Sequence, residues 1–102
     1  MIRNSTSPIL EGEPVKNYAL NQNYPNPFNP ETVISYALPQ TGYVVLKIYD
    51  INGREAATLV NEIQSKGRYS VRWNAGNVSS GIYVYTLSSG SYKESKLMLL
   101  TK

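Results

Sequence analysis

Apolar and polar positions alternate with a period of two along most of the chain. In residues 32–38 the alternation puts Ile34, Tyr36 and Leu38 on one face, the mark of a half-buried strand. Residues 43–50 repeat it with Val44, Leu46 and Ile48 and predict a central strand. Residues 51–54 read as a tight turn in which Asn52-Gly53 supplies the positive φ values of a hairpin. Residues 56–60 read as the returning strand and residues 61–67 as a polar loop ending in glycine. Tyr69, Val71 and Trp73 then share an inward face, residues 74–81 form a loop, and Tyr83, Tyr85 and Leu87 line the next strand. Gly81 stands where a bulge or a close backbone approach is expected. A turn over residues 88–91 leads into a last strand over residues 92–101. No window carries the 3.6-residue period of a helix. The pattern predicts an all-β chain, a sandwich of two antiparallel sheets with at least six strands, and Trp73 filling its centre.

The strands are preceded by a proline-rich lead-in. Pro25, Pro27 and Pro30 each bias the residue before them toward extended backbone and cannot donate to a sheet ladder. Residues 24–30 are therefore expected to be rigid, extended and outside the sheets. Phe28, the one phenylalanine of the chain, lies among them. A stiff segment loses little entropy on docking, so Phe28 is expected to be a buried plug that ties the lead-in to the domain. Upstream, residues 1–17 are polar, with Pro8, Gly12 and Pro14, and read as a flexible arm ahead of a domain spanning residues 18–102.

Composition narrows the function. The 102 residues suffice for one domain with a real core. Nine tyrosines against one Phe and one Trp suit a small β protein with wet edges. The net charge of +3 comes from scattered lysines and arginines with no dense run, so no nucleic-acid partner is expected. The chain has no Cys and no His, which removes disulfides, thiol nucleophiles, histidine bases and the usual zinc ligands. Its carboxylates (Glu11, Glu13, Glu31, Asp50, Glu55, Glu62 and Glu94) show no convergent pair for acid–base work. Asp50 with Asn52 offers too few oxygens for calcium, and Asp50 is expected to bond its own turn instead. No catalytic residue, metal or cofactor is expected. A sugar-binding face would need an outward aromatic row. Tyr36, Tyr69, Tyr83 and Tyr85 share faces with core residues, which leaves Tyr43 and Tyr49 as the better platforms. No stretch is long and apolar enough to span a membrane. Residues 1–14 lack the apolar core of a signal peptide, so the chain is expected to be either cytoplasmic or part of a longer precursor.

The last strand breaks the alternation. Leu97, Met98, Leu99 and Leu100 are apolar without interruption, bordered by Lys93, Lys96 and Lys102. Either both faces of this strand are covered, or one stays exposed as a basic, apolar surface for a partner.

Several segments together resemble a known family: LNQNYPNPFNPET, ISYALP, VVLKIYDINGREAATLV, GRYSVRWNA, SSGIYVYTLSSG and the tail KLMLLTK. In this order, over nearly all of residues 20–102, they are similar to the type A C-terminal sorting domain of the type IX (Por) secretion system of Bacteroidetes and their relatives. Similar patterns occur in the immunoglobulin-like domain of flagellar hook-capping proteins. The resemblance implies an immunoglobulin-like antiparallel β-sandwich of about seven strands and a function of address rather than chemistry. It implies a domain covalently linked to an N-terminal cargo whose precursor enters the periplasm by a signal peptide. The outer-membrane translocon then recognises the domain, and a surface peptidase removes it in some relatives. The destination would be the cell surface or the medium, without membrane insertion. On this reading Lys96, Leu97, Met98, Leu99, Leu100 and Lys102 are the candidate recognition residues. Pro25, Asn26, Pro27, Phe28, Gly53, Trp73, Gly81, Tyr83 and Tyr85 form the structural motif. The alternative is a carbohydrate-binding or structural immunoglobulin-like accessory module of a secreted hydrolase.

Overall fold

Strands form where the period-two pattern predicts them. The computed structural model describes residues 14–102. They fold into β1 (Ala19–Leu20), β2 (Glu31–Leu38), β3 (Gly42–Asp50), β4 (Glu55–Gln64), β5 (Gly67–Asn74), β6 (Gly81–Ser89) and β7 (Tyr92–Leu100). One sheet has the order β1-β2-β5 and the other β4-β3-β6-β7, with every pairing between named strands antiparallel. The sheets pack as a sandwich consistent with the immunoglobulin-like class, and no helix occurs among the described residues. Most of the arm, residues 1–13, lies outside the described residues. Within the remainder of that stretch Val15 is buried.

The alternation sorts side chains into core and solvent. Ile34, Tyr36 and Leu38 of β2 meet Val44, Leu46 and Ile48 of β3 and Tyr83, Tyr85 and Leu87 of β6 in one buried cluster. Trp73 belongs to it, with its ring 5.8 Å from those of Phe28 and Tyr83. Tyr69 and Val71 share its face but are only half-buried, because β5 is the edge of its sheet.

Two local expectations change. Residues 61–64 continue β4 instead of forming a loop, and Asn61, Glu62 and Gln64 pair with Val45, Val44 and Gly42. As an edge strand β4 faces water along one side, so polar residues there do not end the pairing that β3 requires. The second change is in the β3–β4 turn. Asn52 does not adopt positive φ; only Gly53 does, at 84°. The Asp50 carboxylate accepts the N–H groups of Asn52 and Arg54, each at 2.9 Å. The Asp50 N–H donates to the Arg54 carbonyl at 2.9 Å, and the Gly53 N–H to the Asp50 carbonyl at 3.0 Å. The result is a three-residue loop closed by a left-handed glycine, not a two-residue turn. These backbone donors, the Arg54 N–H first, hold the Asp50 carboxyl below its ordinary pKa.

Gly81 also has positive φ, 148°. A β-carbon on Gly81 or Gly53 would meet nothing within 4 Å, so backbone conformation, not close approach or a bulge, calls for glycine. Gly53→Val and Gly81→Val are each expected to cost about 1–3 kcal/mol. Ser79→Ala should stay within about 0.5 kcal/mol. Urea midpoints of the three variants check this, and equal shifts would show that neither glycine is constrained.

Candidate functional site: the tail strand and its strap

β7 keeps an unbroken register with β6, from Gly81↔Leu100 to Ser89↔Tyr92. Met98 and Leu100 point into the core and are buried, whereas Leu97 is 60% exposed and Leu99 38%. Ile82, opposite Leu99, and Ile51, in the β3–β4 turn, are exposed as well. One face of the apolar run thus lines the core, and the other lies open on the outer surface of the four-stranded sheet. Single exposed leucines need no explanation, but neighbouring ones on a sheet face mark a contact surface.

The lead-in docks against this strand. After β1 it follows β2, with the Tyr24 N–H bonded to the Val33 carbonyl at 3.0 Å. It then crosses to the other sheet, where Phe28 forms a parallel bridge with Leu100. The Phe28 N–H donates to the Leu99 carbonyl at 3.0 Å, and the Thr101 N–H to the Phe28 carbonyl at 2.9 Å. Two amide side chains complete the seam: Gln22 Nε2 donates to the Leu97 carbonyl at 2.7 Å, and the Leu99 N–H to Asn26 Oδ1 at 3.0 Å. Residues 22–28 therefore form a strap over the end of β7.

The strap is not straight, as expected, but bends at residues 25–27 and 29–30. Nor does it stay wholly outside the sheets, since Tyr24 and Phe28 each form a bridge. A chain that passes from one sheet to the other within four residues has to turn, and the residues between the prolines keep their N–H groups. The Tyr24–Pro25, Asn26–Pro27 and Asn29–Pro30 peptides are cis.

Phe28 is 2% exposed, so the plug is in place. Behind it a polar cluster fixes the crossing. The Asn23 side chain is buried and donates to Thr32 Oγ1 and the Pro25 carbonyl, and Thr32 Oγ1 donates to the same carbonyl. Tyr85, from the centre of β6, accepts the Asn23 N–H at 2.9 Å and donates to the Asn21 carbonyl at 2.6 Å. Burial raises the Tyr85 phenol to about 12 despite the Asn23 N–H bond. No buried side-chain nitrogen or oxygen among the described residues lacks a partner. The sequence reading missed Gln22, Asn23, Thr32 and Ile82. The polar crowding of Asn21, Gln22, Asn23 and Asn26 just ahead of a buried aromatic was the available signal.

Lys96 and Lys102 do not join the exposed leucines, whereas Lys93 is exposed with their parity four residues before Leu97. Lys96 shares the inward parity of Met98 and pairs with Glu94 at 3.6 Å. Lys102 Nζ donates to the carbonyls of Gly76 and Val78, clamping the β5–β6 loop. The surface formed by Leu97 and Leu99 is apolar rather than basic.

Other candidates do not assemble into sites. Tyr43 is 53% exposed and Tyr49 half-buried. They lie six residues apart on one strand, about 20 Å, with Val45 and Lys47 between them, and form no aromatic row. A shallow groove of about 410 Å³ on the three-stranded sheet is lined by Tyr36, Tyr69, Arg68 and Asn21 with small alanines and serines between them, and no carboxylate lines it. No cluster of three metal-ligating side chains occurs among the described residues. Among the described residues no helix is long and apolar enough to cross a membrane.

Residues 22–101 match the model of the secretion system C-terminal sorting domain. The chain belongs to that family. The matched span opens at Gln22, the first strap residue bonded to β7, and closes at Thr101, whose N–H meets Phe28. The matched span thus begins and ends at the two ends of one seam. Comparison with the curated proteins and with solved structures gave no match. The family is one of export signals of the type IX system, not of catalysts.

Proposed function

We propose that this sorting domain directs a larger, N-terminally linked cargo through the type IX outer-membrane translocon to the cell surface or medium. Its role is recognition without catalysis. The observation that carries the reading is the outward pair Leu97 and Leu99 on a strand whose other face is core. The domain leaves an apolar surface open at its last strand, where burial would otherwise be favoured. Lys102 contributes by holding the end of the tail through the Gly76 and Val78 carbonyls, whereas Lys96 pairs within β7 with Glu94.

A fluorescent protein carrying a signal peptide and this chain at its C-terminus tests the reading in a bacterium with a working type IX system. Surface or medium fluorescence is expected, and it should vanish when the translocon is deleted. Leu97→Ser with Leu99→Ser should lower export at least tenfold while costing about 1–3 kcal/mol of stability, since Leu99 is mostly covered, and the thermal midpoint checks that the variant stays folded. Lys96→Gln with Lys102→Gln should leave most of the export intact. Neutral glutamine is the cleaner substitution here, since a glutamate would face Glu94 or the loop carbonyls. Export unaffected by the leucine changes would reject the outer face as the recognised surface.

A further inference from the structure

β7 ends its sheet, and the strap covers only half of the open edge. The groups that meet the strap are the Leu97 carbonyl, the N–H and carbonyl of Leu99 and the Thr101 N–H. All belong to odd-numbered residues. Main-chain groups alternate in direction along a strand, so those of Lys93 and Ser95 face the same edge. Among the described residues no hydrogen bond reaches the main chain of either from that side.

The other edges are poorer places for pairing. β1 is two residues long. β4 is broken by register shifts opposite Leu46/Lys47 and Ile48/Tyr49, a common way of blocking edge association. β5 presents Arg68, Ser70 and Arg72 on its exposed face, with no apolar neighbour among them. Among the described strands β7 alone combines an unbroken register with outward leucines, Leu97 at the end of the open stretch and Leu99 beside the strap. The strap itself shows what this edge accepts: a chain segment laid parallel to β7 and held by main-chain bonds, with the Gln22 and Asn26 amide side chains donating and accepting beside them.

We propose that the open edge of β7, from Lys93 to Leu97, takes up an extended polypeptide segment of the export machinery by main-chain pairing, laid parallel to β7 in line with the strap. Such strand addition draws affinity from the backbone and selectivity from alternate side chains. The segment would carry apolar residues on the side that continues the Leu97 surface. The inference rests on the sorting function proposed above and assigns the contact within it.

Ser95→Pro is the test. It deletes an edge-facing N–H, a position at which an edge strand tolerates proline. It also removes the 2.7 Å hydroxyl contact with Thr86, so Ser95→Ala is the control. Both variants are made in the full chain fused to the fluorescent cargo, and folding is checked by thermal midpoint and Trp73 fluorescence. Export of the wild-type fusion tests the sorting function separately, and its failure would remove both proposals. With the wild type exported, Ser95→Pro is expected to fold and to lose export at least tenfold, while Ser95→Ala exports normally. A folded Ser95→Pro variant exported like the wild type would overturn the edge proposal. If Ser95→Pro does not fold, Lys93→Pro, on the same edge and nearer the strand end, is read by the same criterion.

Discussion

Phe28→Ala is expected to destabilise the domain by about 4 kcal/mol, within the range for truncating a buried phenylalanine. The ring is almost wholly buried and leans on Trp73 at 5.8 Å. It fills the end of the sandwich where the strap crosses between sheets. The two main-chain bonds of Phe28 to β7 do not involve the ring, but the ring holds the strap where those bonds can form. Loss of the plug should therefore loosen the tail as well as lower stability. The amides of Leu99 and Thr101, bonded to the strap, should exchange faster relative to those of Leu46 and Ile48. Phe28→Leu keeps much of the volume and should cost about 1.5 kcal/mol or less. Urea titration and amide exchange measure both effects. An unchanged midpoint would mean that the plug adds nothing, and tail exchange rising only in step with the whole domain would show that the strap does not hold the tail locally.

The strap also marks where reading the sequence succeeds and stops. Its anchor was legible: a lone phenylalanine between prolines, in a chain otherwise rich in tyrosine, has few roles besides docking. Its path was not. X-Pro bias limits backbone angles one residue at a time and carries no information about which strand the segment meets. The partners of Gln22 and Asn26 lie more than seventy positions away. The core faces of β2, β3 and β6 were legible because burial imposes a strict period of two. The far end of β4 was hidden for the converse reason, since a strand wet along one edge tolerates the polar run Asn61, Glu62 that elsewhere ends a strand. The unbroken apolar run of residues 97–100 left two readings open, and pairing with β6 faces Met98 and Leu100 inward and Leu97 and Leu99 outward. The lysines illustrate a further limit. Charge beside an apolar run suggested one basic surface, but Lys96 has the wrong parity for it and Lys102 is held by carbonyls of a distant loop.

Alkaline pH should unfold the sorting domain more steeply than its composition alone suggests. Burial pushes the Tyr36 phenol up to about 12, partly offset by its bond to Gln64, and the Tyr85 phenol to about 12 as well. Tyr92 is raised too, by burial and then by its hydrogen bond to the Glu94 carboxylate. An unfolded tyrosine releases its proton near pH 10. Between about pH 10 and 12 the unfolded chain thus binds fewer protons than the folded one, and stability falls as pH rises. The contribution of these phenols is fully present below pH 10 and is lost on passing through the folded values. Each contributes a slope of at most about 1.4 kcal/mol per pH unit, reduced where water at the rim of the sandwich screens the charge. Tyr85→Phe separates this effect from general alkaline damage. At pH 7 it should cost about 1–3 kcal/mol, because the Asn23 N–H and the Asn21 carbonyl lose their buried partner. Above pH 10 its stability should fall less steeply than that of the wild type, so the two curves converge. Urea midpoints from pH 8 to 11.5 measure both curves. Parallel curves would show that the Tyr85 phenol titrates alike in the folded and unfolded chains, and that its burial between the strap and β6 does not govern the alkaline limit.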